Sequence, residues 1–291
     1  MADLIRIGND RLSAAINPLG AELSNLRDPD GRELMTDADP AFWTGRAPIL
    51  FPVVGRVTGD VIRIDGAAHP MPKHGFARRS TFEVVAAEAT RAAFALTDTA
   101  ETRAAYPFTF RLEVAFRLDS PTLLTEVTIE NRGERPMPAQ FGFHPAFAWP
   151  LPYGRDRAAH RLLFDADEPV DLRAITPDGF IAAASRPTPL DGRDLRLHDA
   201  LFADDALVWD PVRSQALRYG APDGPQLDIA FPDTPKLGVW TKPGARYVCV
   251  EPWHGIADPA GFAGEFRDKP GVFEIAPGSR KRIGMSVTLV A

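Results

Sequence analysis

A single cysteine, Cys249, gives this 291-residue chain no internal disulfide and no multi-cysteine metal site. Lying in a strand-like run, Cys249 reads as a small buried hydrophobe. No run of 18 apolar residues occurs, so no membrane-spanning helix is expected. The opening Met1-Ala2-Asp3-Leu4-Ile5-Arg6 lacks the basic-then-apolar order of a signal peptide, and the expected location is the cytoplasm. Basic residues are outnumbered by acidic ones, 33 to 39, giving a net charge of −6, and the arginines are dispersed. That leaves no basic stripe for nucleic acid or an anionic membrane, because phosphate binding needs clustered Lys and Arg. There is no Gly-rich phosphate loop and no parallel strand-helix-strand pattern, which argues against a nucleotide-binding fold.

Proline and glycine, by contrast, are plentiful at 28 and 23 residues, and they punctuate short runs of β type. Residues 5–7, 12–16, 22–26, 81–86, 92–96, 108–118, 123–130, 227–231, 237–241, 247–251, 273–275 and 283–290 read as strands. Asp28-Pro29-Asp30-Gly31 and Asn131-Arg132-Gly133-Glu134 supply turn chemistry between them. The expectation is an all-β chain in which so many strands split into two large stacked antiparallel sheets. Residues 150–189, rich in Pro, Arg and Asp, read as a long excursion over the sheet, with one domain spanning residues 2–290.

Three segments carry most of the chemistry: Lys73-His74-Gly75-Phe76-Ala77-Arg78, Gln140-Phe141-Gly142-Phe143-His144 and Val250-Glu251-Pro252-Trp253-His254. They can act together only if folding converges them, and the expected meeting place is the concave face of the larger sheet. Strand alternation puts Tyr247, Cys249 and Glu251 on one face, with Glu251 ending its strand because Pro252 stops the ladder. It likewise sets His144 opposite Phe141 and Phe143, which pack inward, and leaves open space over Gly142 for a ligand. Each segment mixes an ionisable group with glycine and aromatic rings, as a site for a polar, ring-shaped ligand requires. Arg56 ends the apolar run Phe51-Pro52-Val53-Val54-Gly55 and offers a fork of donors; Asp204 and Asp205 compete as acceptors for ligand hydroxyls. His254 shapes the turn after Glu251, and His69, His160 and His198 have no supporting context. Arg78 and Arg79 could meet a phosphate.

The succession Ala47-Pro48-Ile49-Leu50-Phe51-Pro52 to Gly55-Arg56, His74-Gly75-Phe76-Ala77-Arg78, Phe143-His144-Pro145-Ala146-Phe147 and Glu251-Pro252-Trp253-His254-Gly255 resembles the aldose 1-epimerase (galactose mutarotase-like) family, in its LacX-like branch. The likeness runs from about Leu12 to Leu289. It implies a β-supersandwich and a cofactor-independent isomerase without a metal, acting on a small sugar as a monomer or homodimer. By position it implies His144 as general acid, Glu251 as general base and His74 as a second, substrate-binding histidine, which is grouped with them as catalytic. It also implies Arg56 and Asp205 as substrate-binding residues, and Arg78 and Trp253 join them as candidates from their own context. Phe143 and Pro252 depart from the family's mutarotases, which place Asn before the acid histidine and no Pro after the glutamate. The acid-base pair is expected to rest with Glu251 ionised and His144 protonated. A non-catalytic sugar-binding module is the rival reading, and a metal enzyme built on His74, His144 and Glu251 ranks third.

Overall fold

Period-two burial drives the architecture. Phe110, Leu112, Val114, Phe116 and Leu118 are buried along Phe110–Asp119, alternating with Arg111, Glu113 and Arg117. That strand pairs antiparallel with Thr122–Asn131, setting Val114 opposite Val127 and Leu118 opposite Leu123. The computed structural model describes residues 3–290. Every stretch read as a strand from the sequence coincides with one.

A nine-stranded antiparallel sheet runs, edge to edge, through Asp194–Arg196, Arg161–Phe164, Ala216–Gly220, Gln226–Ala230, Arg280–Val290, Thr122–Asn131, Phe110–Asp119, Arg91–Thr97 and Glu83–Ala87. A six-stranded sheet is ordered Leu207–Trp209, Lys236–Trp240, Tyr247–His254, Phe141–Phe143 and Ile49–Leu50, with Ala146–Ala148 also pairing with Tyr247–His254. Phe116, Val127 and Ile283 of the larger sheet share one core with Phe141, Phe143, Val239, Val248 and Val250 of the smaller. Two stacked antiparallel sheets are thus present as expected.

The excursion is more structured than residues 150–189 suggest. Arg161–Phe164 enters the nine-stranded sheet, while Leu172–Ile175 and Ile181–Arg186 form a separate hairpin. Short, half-polar strands of this kind carry too little periodicity to be told from loop. Among the described residues no helix is long and apolar enough to cross a membrane.

Candidate active site

The site depends on an interrupted ladder. Tyr247–His254 continues through Pro252, which lies opposite Leu237, so Glu251 sits inside a central strand and does not end one. The proline is tolerated because the other neighbour is broken there: Phe141–Phe143 pairs with Trp253 and His254, and Ala146–Ala148 with Cys249, Val248 and Tyr247. Both pieces keep one register across the gap, which sets His144 directly opposite Glu251. His144 Nε2 lies 3.1 Å from Glu251 Oε2, and both side chains are nearly sealed from solvent.

Alternation along Tyr247–His254 then assigns the faces. Val248 and Val250 enter the core between the sheets, while Tyr247, Cys249, Glu251 and Trp253 face the other way. The same outward face carries Val208 and Trp240, and a cavity of about 300 Å³ opens on it. The site therefore lies on the smaller sheet, not the larger one. On the larger sheet, ion pairs such as Arg218–Asp228 and Arg117–Asp119 stand half exposed.

Trp253 forms part of the floor. A Cβ at Gly142 would come within 2.6 Å of its indole and one at Gly238 within 2.5 Å, so two glycines on flanking strands make room for the ring. The space over Gly142 is thus filled by Trp253 and is not left for a ligand. His144 lies against Trp43 at 4.8 Å between ring centres and edge-on to Trp240 at 6.1 Å. Three of the five tryptophans line the cavity, and two of them, Trp43 and Trp240, escaped the reading of the sequence. Trp43 folds back over Gly45, where any Cβ would strike the indole at 2.3 Å, a contact that only the structure discloses.

His74 adopts a left-handed φ of 68°, followed by Gly75 at 72°. Its Nδ1 accepts a hydrogen bond from the Gly55 amide at 3.1 Å, which places the proton of a neutral ring on Nε2. His74 therefore presents a donor at the cavity, 5.8 Å between ring centres from His144. Asp205, also left-handed at φ 74°, lines the cavity with one oxygen held by the Ala206 amide at 2.7 Å. Asp204 points instead towards Arg186, 3.9 Å away. Arg78 and Lys73 line the cavity as well; Lys73, next to His74 in sequence, was not singled out beforehand.

Arg56 is the exception among the anticipated residues. The chain turns at Gly55 with φ 73°, and the Arg56 side chain donates to the Asp178 carbonyl at 2.9 Å and lies over the Phe180 ring. It does not line the cavity; it anchors the tip of the Leu172–Ile175/Ile181–Arg186 hairpin. Ile175, Gly179 and Ile181 of that hairpin form the cavity's cover, and the Ile181 amide is fixed to the Asp258 carbonyl at 2.9 Å.

Burial sets the electrostatics. Desolvation pushes Glu251 well above the usual carboxylate range, opposed by Lys73, and pushes His144 down to about 3, reinforced by Arg78 and Lys73. The charge-separated resting pair expected from proximity is therefore disfavoured, because the low-dielectric site penalises both charges, and two groups this close titrate as a pair. Cys249 completes a group whose ligand atoms lie within 4.8 Å of those of His144 and Glu251. Burial and Glu251 raise its pKa, which keeps it a thiol and a poor metal ligand.

These shifts carry a stability signature. His144, His254 at about 4 and His74 are all depressed below 6.5, so between the folded and unfolded values the unfolded chain binds more protons. Their contribution is complete above pH 6.5 and falls as pH drops towards 3, whereas the raised Glu251 contributes less as pH climbs above 4.5. Thermal unfolding from pH 7 to pH 4 should show His144→Asn losing less stability on acidification than wild type. Parallel curves would remove His144 from this balance.

The comparisons agree with this architecture. The chain is 28% identical over 296 residues to the plasmid LacX protein of Lactococcus lactis subsp. lactis, covering 98% of this chain and 99% of that one. A galactose mutarotase related enzyme from Lactobacillus acidophilus superimposes with a TM-score of 0.90 at 29% identity, covering 99% of this chain and 97% of that one. A galactose mutarotase-like protein from Lactobacillus casei gives 0.91 at 28% identity, covering 99% and 100%. The sequence profile of the aldose 1-epimerase family matches residues 3–270, and the chain belongs to that family.

Proposed function

We propose that this protein is an aldose 1-epimerase that interconverts the α and β anomers of a free sugar. The observation that carries this reading is the buried His144–Glu251 pair, 3.1 Å apart and facing a cavity walled by tryptophans. Anomer exchange opens the hemiacetal, turns the aldehyde about the C1–C2 bond and closes the ring on the other face. With one proton on the pair, carried by His144, Glu251 takes the proton of the C1 hydroxyl while His144 gives its own to the ring oxygen; on closure each transfer reverses. The substrate is neither oxidised nor reduced and no group leaves it, so a single acid-base pair suffices. His74 donates to a sugar oxygen through Nε2, Asp205 accepts from a hydroxyl, and Trp253 and Trp43 offer apolar faces to the ring.

Exchange spectroscopy by NMR on free aldoses tests this. The rate should be bell-shaped in pH, falling at low pH as the pair takes a second proton and at high pH as it loses its only one. With His144 depressed and Glu251 raised, the acid limb should lie below the ordinary imidazole range and the alkaline limb above the ordinary carboxylate range. A protein that binds sugars without accelerating exchange of any of them would be a binding module instead.

A further inference from the structure

The loop that brings His74 to the cavity also brings two cations. Left-handed His74 and Gly75 are followed by a short 3-10 turn over Ala77–Arg79, so Lys73 and Arg78 flank the histidine and both line the same cavity. Several arginines elsewhere are matched: Arg157, Arg161 and Arg218 each clasp a carboxylate, at 2.8, 2.6 and 2.6 Å. Among the described residues, neither Lys73 nor Arg78 makes an ion pair or a side-chain hydrogen bond. The cavity's own carboxylates do not serve them, since Glu251 is engaged with His144, and Asp205 lies outside ion-pair distance with one oxygen on the Ala206 amide. Burial depresses Arg78 and Arg79 adds repulsion, while the Glu22 carboxylate, already accepting the Arg46 and Ala47 amides, partly opposes both.

A neutral hexose entering this cavity would strip water from the half-buried Arg78 and return only hydroxyl contacts, whereas an anion on the ligand balances Arg78 and also attracts the exposed Lys73 ammonium. The guanidinium fork of Arg78 matches the paired oxygens of a carboxylate or phosphate. We propose that the sugar held here is anionic, its carboxylate or phosphate oxygens bound by Arg78 and Lys73; this rests on the cavity being the sugar site proposed above. It assigns to these two side chains the choice among sugars, separately from the His144–Glu251 chemistry.

The test compares hexose 6-phosphates and hexuronates with their neutral parent hexoses, by NMR exchange and by calorimetric binding, in wild type, Arg78→Met and Lys73→Met. At least one anionic class should be bound and exchanged about tenfold or more better than its parent, with the preference shrinking at high salt. The class that shows it distinguishes phosphate from carboxylate. The ratio of anionic to neutral should collapse in Arg78→Met and fall in Lys73→Met, whose side chain is exposed and whose loss spares the core. Neutral parents handled as well as both anionic classes would overturn the proposal and leave the epimerase reading standing. Binding of an anionic sugar that depends on Arg78, with no exchange of any sugar, would uphold it and overturn the epimerase reading.

Discussion

Glu251→Gln is expected to slow anomer exchange by at least ~10², while the fold and a measurable sugar affinity persist. The amide is nearly isosteric and can still hydrogen-bond the C1 hydroxyl, but it accepts no proton at neutral pH. Burial adds a second consequence. Because the folded protein holds Glu251 well above its ordinary pKa, the carboxylate costs stability at neutral pH, and the neutral amide relieves that cost. The variant should therefore unfold at a temperature equal to or above that of wild type while nearly inactive. His144→Asn probes the other half of the pair: it keeps a hydrogen-bonding group opposite Glu251, removes the titrating nitrogen and should cost a similar factor. Wild-type rates in either variant, measured by exchange spectroscopy on the same sugar, would show that the 3.1 Å pair is not the proton relay.

Gly75→Ala should abolish the site by a different route, through the backbone. Gly75 has φ 72°, and an added Cβ would sit 2.1 Å from the Phe51 carbonyl oxygen, which already accepts the Phe76 and Ala77 amides at 3.1 and 3.2 Å. Neither atom can yield without parting the loop that carries Lys73, His74 and Arg78 from the strand Ile49–Leu50. We expect a loss of about 4 kcal/mol or more, a large share of the ~5–15 kcal/mol that holds a domain together. Gly66 is the control, since its φ of 80° is equally left-handed but nothing lies within 4 Å of the added carbon. Gly66→Ala should lose only the ~1–2 kcal/mol of left-handed strain. Denaturant titration separates the two, and equal losses would mean that strain alone, not the close approach to Phe51, makes Gly75 necessary.

How much of this was legible in the chain follows from the range of each signal. Period-two alternation is local, so the long strands Phe110–Asp119 and Thr122–Asn131 declare themselves, as do the inward faces of Phe141, Phe143, Val248 and Val250. The ordered segments around His74, His144 and Glu251 were legible for the same reason: each concentrates ionisable groups, glycine and aromatics within a few residues. What the sequence could not state is pairing. That Pro252 lies within a strand depends on the gap between Phe141–Phe143 and Ala146–Ala148, a property of the neighbouring chain and not of residues 250–254. The occupant of the space above Gly142 was likewise decided across the sheet, where Trp253 lies over Gly142 and Gly238.

Arg56 marks the limit most plainly. Its donor fork suited a sugar, yet the turn at left-handed Gly55 sends it to the Asp178 carbonyl, 122 residues away, while Arg78 enters the cavity in its place. The ionisation of the acid-base pair was also beyond local reading, because two side chains that attract each other in water are governed by desolvation once both are sealed from it. The sequence by itself therefore determined the class of fold and the residue types available for proton transfer, through patterns that span a few neighbours. Tertiary structure alone decided which sheet bears the cavity, which arginine faces it and in which direction burial shifts the acid-base pair, because register, turn direction and burial arise only between segments far apart in the chain.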